Sequence, residues 1–141
     1  MNNNGKLVQQ HDGDDRLAAL HTNANAVRAI AAAVEGTLGP KGLDTMLVDH
    51  SGDVVITNDG VTILNKMDVN HPAARMVIQI ARSQQEEIGD GTTTATIMAS
   101  ALVQEGESQI SRGVPVAKVI QGVRLGVSHA LSVLQRSARP I

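Results

Sequence analysis

Cysteine, phenylalanine, tryptophan and tyrosine are all missing from the 141 residues. Without cysteine there is neither a disulfide nor thiolate chemistry. Without aromatic rings the chain cannot stack nucleic-acid bases, and its core has to be built from Ala, Val, Ile, Leu and Met. An excess of one charge is missing too. Twelve Lys and Arg face 14 Asp and Glu, for a formal net charge of −2. The cations are scattered, so no basic patch points to a nucleic-acid partner. No apolar run approaches membrane-spanning length, and Met1 to Gln10 is too polar for a secretory signal. A cytoplasmic protein with no membrane partner is the expectation.

What is present is enough for a folded domain. Hydrophobic residues make up 42%, which argues against disorder throughout. A chain of this size buries roughly 70% of its unfolded surface on folding. Residues 1–14 read as a flexible polar arm with a short strand at Lys6 to Gln9. Leu17, Leu20, Ala24, Val27, Ala31 and Val34 then recur near a 3.6 period, which predicts a helix from about Asp15 to Thr37. Gly39-Pro40 closes it. Within Thr45 to Thr57, two apolar β-type runs flank Ser51-Gly52 and predict a hairpin.

Four more helices are expected. Asn58-Asp59-Gly60 caps a short one over Val61 to Met67. His71-Pro72 opens the next, with Ala73, Met76, Val77, Ile80, Ala81, Gln84 and Ile88 on one face. The following helix carries Ala95, Met98, Ala99, Leu102, Val103, Gly106 and Ile110 in one stripe and stops at Gly113. Pro115 suits the first turn of the last, whose buried side is Val116, Val119, Ile120, Val123, Val127, Ala130, Leu131 and Leu134. The fold class is mainly α, a helical bundle with one β-hairpin. Met46, Met67, Met76 and Met98 fall at core spacing as gap fillers.

Three glycine-marked turns carry chemistry: Leu38-Gly39-Pro40-Lys41-Gly42, Asn58-Asp59-Gly60 and Gly89-Asp90-Gly91-Thr92-Thr93-Thr94. The last two open helices, whose first-turn N–H groups and partial positive charge suit an anion. Glycine lets backbone amides approach a phosphate. Threonine hydroxyls add hydrogen bonds, and an aspartate in the same turn can hold a hard cation such as Mg²⁺. Taken singly, each turn is more often an ordinary cap or bend; the phosphate reading gains from all three occurring together. Gly39-Pro40-Lys41-Gly42 lacks the Gly-Lys-Ser/Thr order of a Walker loop. The five histidines are dispersed, with no i, i+4 pair, and Glu86-Glu87 reads as a solvated helix end.

These stretches resemble the chaperonins, ATP-driven double-ring protein-folding machines. The likeness rests on Thr37 to Asp49 (TLGPKGLDTMLVD), Ile56 to Leu64 (ITNDGVTIL), His71 to Met76 (HPAARM) and Gly89 to Thr96 (GDGTTTAT). It extends from about Asn23 to the end. NDGVTIL and HPAARM are similar to the thermosome-like branch rather than the branch with a separate lid protein. That other branch has a lysine where Asn58 stands.

The resemblance implies roles. Thr37, Leu38, Gly39 and Pro40 would line the nucleotide pocket, Asp90 would be a Mg²⁺ ligand, and Gly91, Thr92, Thr93 and Thr94 would hold the phosphates of ATP. Asp59 would be catalytic, positioning or activating the water that attacks the γ-phosphate, with Gly60 allowing close approach. Residues 15–141 would be the N-terminal part of the equatorial, ATP-binding domain. The hairpin would pair with terminal strands of a neighbouring subunit in a homo- or hetero-oligomeric ring. Unfolded polypeptides would be bound by an apical domain that, like the hinge domain, this chain lacks; the chain is expected to be an N-terminal piece. Two other readings stand beside this one: a non-catalytic helical oligomerisation module that keeps the turns as caps, and a small stand-alone nucleotide-binding protein.

Overall fold

Small aliphatic side chains let helices pack closely. In the computed structural model they do so around a core formed by three helices. The structure describes residues 4–48 and 51–139, with side chains from residue 15 onward. Met1 to Asn3, Asp49, His50, Pro140-Ile141 and the side chain of His11 lie outside the described residues. The elements are α1 (Asn4–Glu35), β1 (Thr45–Val48), β2 (Val54–Thr57), α2 (Gly60–Lys66), α3 (Pro72–Glu87), α4 (Thr92–Ser111) and α5 (Val116–Ser137). This is the mainly helical architecture with one hairpin that the sequence predicts. One boundary differs: α1 is already under way at Asn4, so Lys6 to Gln9 are helical and not a strand.

The chain divides into two compact units, Met1–Gln104 and Glu105–Ile141. In the first, Val27, Ile30 and Val34 of α1 pack with Ile63 and Leu64 of α2 and with Ala74, Val77, Ile78 and Ala81 of α3. Leu47, Met67, Ala99 and Val103 cover this cluster from its sides. Polar links add direction to the packing. Arg82 Nε donates to Asn65 Oδ1 at 2.7 Å, joining α3 to α2. Arg28 Nε donates to Gln104 Oε1 at 3.0 Å, and Gln104 Nε2 donates in turn to Ser100 Oγ at 2.8 Å, joining α1 to α4.

The buried faces of two helices agree only in part with the apolar pattern: Val77 and Ala81 of α3 are buried as predicted, and Ala99 and Val103 of α4 pack against the core. On α3 the buried residues are Ala74, Val77, Ile78 and Ala81, while Met76 and Ile80 are exposed. That helix is apolar on two sides, and periodicity cannot say which side meets α1. On α4 the fully buried residues are Thr92, Thr96 and Ser100, while Met98 and Leu102 are exposed. Thr96 Oγ1 donates to Thr92 O at 2.9 Å, so its hydroxyl is satisfied inside the helix and costs little to bury.

The hairpin pairs β1 with β2 antiparallel, Thr45 opposite Thr57 and Leu47 opposite Val55. Those residues are half-buried, whereas Met46, Val48, Val54 and Ile56 form an exposed apolar face. Met46, Met76 and Met98 are therefore surface residues and not core fillers; Met67 alone of the four lies against the core. In the second unit, α4 ends on a two-bond cap, Gly113 N–H to Ile110 O and Val114 N–H to Gln109 O. The helix α5 contains no buried residue, which corrects the expected buried stripe from Val116 to Leu134.

Candidate functional site

The three turns, remote in sequence, line one polar cleft of about 370 Å³, and all of it lies in the first unit. Its walls are Thr37, Leu38 and Gly39 after α1, Asn58, Asp59 and Gly60 at the start of α2, and Asp90 to Thr94 at the start of α4. Of the residues expected to form a nucleotide site, only Pro40 does not line it. Asn58 does, although the sequence alone singles it out only as Asp59's neighbour.

Two contacts hold the turns together. A Cβ added at Gly60 would collide with Thr93 Oγ1 and stand 3.3 Å from Thr92 Oγ1. Only glycine lets α2 begin this close to α4. At the other wall, Thr37 Oγ1 donates to Val34 O at 2.8 Å and lies 3.2 Å from Thr93 Oγ1. A hydroxyl has one proton. With Thr37 committed to Val34, Thr93 is the donor in the second bond. The end of α1 and the first turn of α4 are thereby fixed to each other.

The helix α4 presents its first-turn amides to this cleft. Ala95 N–H is already bonded to Gly91 O at 2.9 Å. Thr92, Thr93 and Thr94 precede it and have no helical carbonyl to reach. These amides sit at the positive end of a 20-residue helix.

The two carboxylates are held differently. Asp59 is the N-cap of α2, and its Oδ2 accepts from Thr62 N–H at 3.1 Å and from Thr62 Oγ1 at 2.5 Å. Among the described residues its Oδ1 has no hydrogen-bond partner, so one oxygen fixes the side chain and the other is free to work. Asp90 is exposed, and its Oδ1 accepts from Gly91 N–H at 2.6 Å. Its main-chain carbonyl accepts from Gln84 Nε2 of α3 at 2.8 Å. Sequence reasoning missed Thr62 and Gln84 as supports. The Asp59–Thr62 spacing is a capping signal that could have revealed the first. No local pattern reveals the second.

The donor set suits a polyphosphate with a hard divalent cation. It offers first-turn amides that have no partner among the described residues and the Thr94 hydroxyl for phosphate oxygens, a cradle that a Cβ at Gly60 would fill, and two aspartates. Among the described residues no cluster of three or more His, Asp or Glu side chains could hold a metal by itself. Mg²⁺ is commonly held by one or two carboxylates together with substrate phosphates. Among the same residues, no helix is long and apolar enough to cross a membrane.

Known proteins share both the sequence and the fold. The chain is 49% identical over 123 residues to thermosome subunit alpha of Archaeoglobus fulgidus, covering 87% of this chain and 23% of that protein. Thermosome subunit beta of the same organism is 50% identical over the same length. A group III chaperonin solved in its open state superposes with a TM-score of 0.83 at 56% identity, covering 89% of this chain and 26% of that one. The chain thus spans about a quarter of the length of the relatives it matches. The TCP-1/cpn60 chaperonin family model matches residues 30–141, and the chain belongs to that family.

Proposed function

We infer that the cleft binds Mg²⁺-ATP, and that the chain serves as part of the ATP-binding domain of a chaperonin subunit, whose ATP hydrolysis is coupled to folding polypeptides within a ring assembly. The convergence of the three turns on one cleft supports this, together with the family membership. The amides of Thr92, Thr93 and Thr94 would take the phosphate oxygens, helped by the hydroxyl of Thr94. Thr37, Leu38 and Gly39 would form the opposite wall. Asp90 would hold Mg²⁺, which when bound neutralises phosphate charge. Asp59, with Oδ2 tied to Thr62, would offer Oδ1 to the attacking water and orient it towards the γ-phosphate. Hydrolysis would then move parts of the subunit that close on an unfolded polypeptide. The same family resemblance supports a cytoplasmic setting.

Equilibrium binding of the non-hydrolysable analogue AMP-PNP, with and without Mg²⁺, tests this. Mg²⁺-dependent binding is expected in the unaltered chain and a loss of at least tenfold in Asp90→Ala. Binding that is absent, or indifferent to both Mg²⁺ and Asp90, would reject it. The exposed apolar faces of α5 and the hairpin favour a second reading, a helical oligomerisation module without nucleotide. An associating chain that does not bind AMP-PNP would establish that one.

A further inference from the structure

Asp90 sits at the bend between α3 and α4, and Gln84 of α3 reaches that bend with both of its polar ends. Its main-chain carbonyl accepts from Ile88 N–H at 3.0 Å and from Gly89 N–H at 3.2 Å. Its side-chain amide donates to Asp90 O at 2.8 Å. The oxygen of Asp90 and the N–H of Gly91 belong to one planar peptide unit, and in a trans peptide they point in opposite directions. All peptides described here are trans. Drawing the carbonyl towards Gln84 therefore turns the Gly91 N–H away from α3. It is this N–H that holds Asp90 Oδ1 at 2.6 Å. Gly91 makes the turn possible with φ +78°, and a Cβ there would stand 3.4 Å from Gln84 Nε2. Gln84 is half-buried and has no other hydrogen-bonding task among the described residues.

We propose that Gln84 is a positioning residue for the Asp90 carboxylate, acting through the 90–91 peptide plane and setting the geometry with which the cleft takes Mg²⁺. This rests on the assignment of Asp90 as the Mg²⁺-holding residue. Gln84 touches neither nucleotide nor metal; it fixes the direction from which the carboxylate is offered. A side chain that only stabilised α3 would influence melting but not the contribution of Mg²⁺ to nucleotide binding.

The test compares the unaltered chain with Gln84→Met, which keeps length and helix propensity but removes the donor. Gln79→Met is the control. Gln79 lies on the same outward surface of α3 and makes no bond to the turn. Two quantities are read: amide exchange at Ile88, Gly89 and Gly91, and the ratio of AMP-PNP affinities with and without Mg²⁺. One lost hydrogen bond corresponds to about a fivefold change. Gln84→Met should speed exchange at the turn about fivefold and lower the Mg²⁺ enhancement about fivefold, with metal-free binding unchanged and Gln79→Met silent. An unchanged Mg²⁺ enhancement in Gln84→Met, whether or not exchange quickens, would overturn the inference alone. Absence of Mg²⁺-dependent binding in the unaltered chain would overturn both the nucleotide assignment and this inference.

Discussion

Gly60 has no room for a side chain. The Thr93 hydroxyl occupies the place a Cβ would take, and Thr92 is close behind. Gly60→Ala should therefore force α2 and α4 apart, destabilising the chain by about 1–3 kcal/mol and weakening AMP-PNP binding. Urea denaturation and titration calorimetry check the two effects, and a variant as stable and as tight as the parent would show that the close approach is unimportant. Asp59 serves both as a cap and as a proposed water-orienting group, and substitution can separate these. Asparagine caps helices as well as aspartate does. Asp59→Asn should therefore leave the urea midpoint and AMP-PNP affinity nearly unchanged, whereas Asp59→Ala should cost about 1 kcal/mol. In any assembly of this chain that turns over ATP, phosphate release should fall about a hundredfold in Asp59→Asn.

A short helix such as α2 depends on its packing. Seven residues are too few for stability on their own, and Ile63 and Leu64, each 1% exposed, anchor it between α1 and α3. Leu64→Ala should destabilise by about 2–5 kcal/mol and loosen the cap that carries Asp59. A urea midpoint shift below that range would mean the core closes over the gap. The opposite holds for α5. Its amphipathic pattern is as regular as that of a core helix, yet Leu131 is 55% exposed. Leu131→Ser should change stability by less than about 0.5 kcal/mol; a change of 2 kcal/mol or more would mean that α5 packs within the chain.

At the scale of the molecule, the exposed apolar surface sets behaviour. Met46, Val48, Val54 and Ile56 cover the outer face of a two-stranded sheet whose edges have no further strand among the described residues. Val116, Ile120, Val127 and Leu131 lie uncovered along α5. Faces like these associate. Sedimentation should show self-association that grows with concentration. A monodisperse monomer that melts in one cooperative step would contradict this.

Apart from Lys6 to Gln9, expected as a strand and found in α1, element types and most of their boundaries followed from local signals: the periods of 2 and 3.6, the proline at the start of α3, the glycines that follow α1 and α4. The residues that line the cleft were also legible as turns, because Gly-Asp-Gly before a run of hydroxyls breaks the helical pattern. Sequence could not choose between the two apolar sides of α3, or see that Thr92, Thr96 and Ser100 would be buried in place of Met98 and Leu102. A hydroxyl that bonds within its own helix is no longer a polar cost, and burial then follows shape. Nor could it show that α5, patterned for a core, is exposed, since periodicity records an apolar face and not what covers it. Only the tertiary structure brought Gly60 against Thr93, Thr37 against Thr93 and Gln84 against the carbonyl of Asp90. Local pattern fixes backbone conformation over a few residues; which turns share a cleft depends on helix packing that no short window contains.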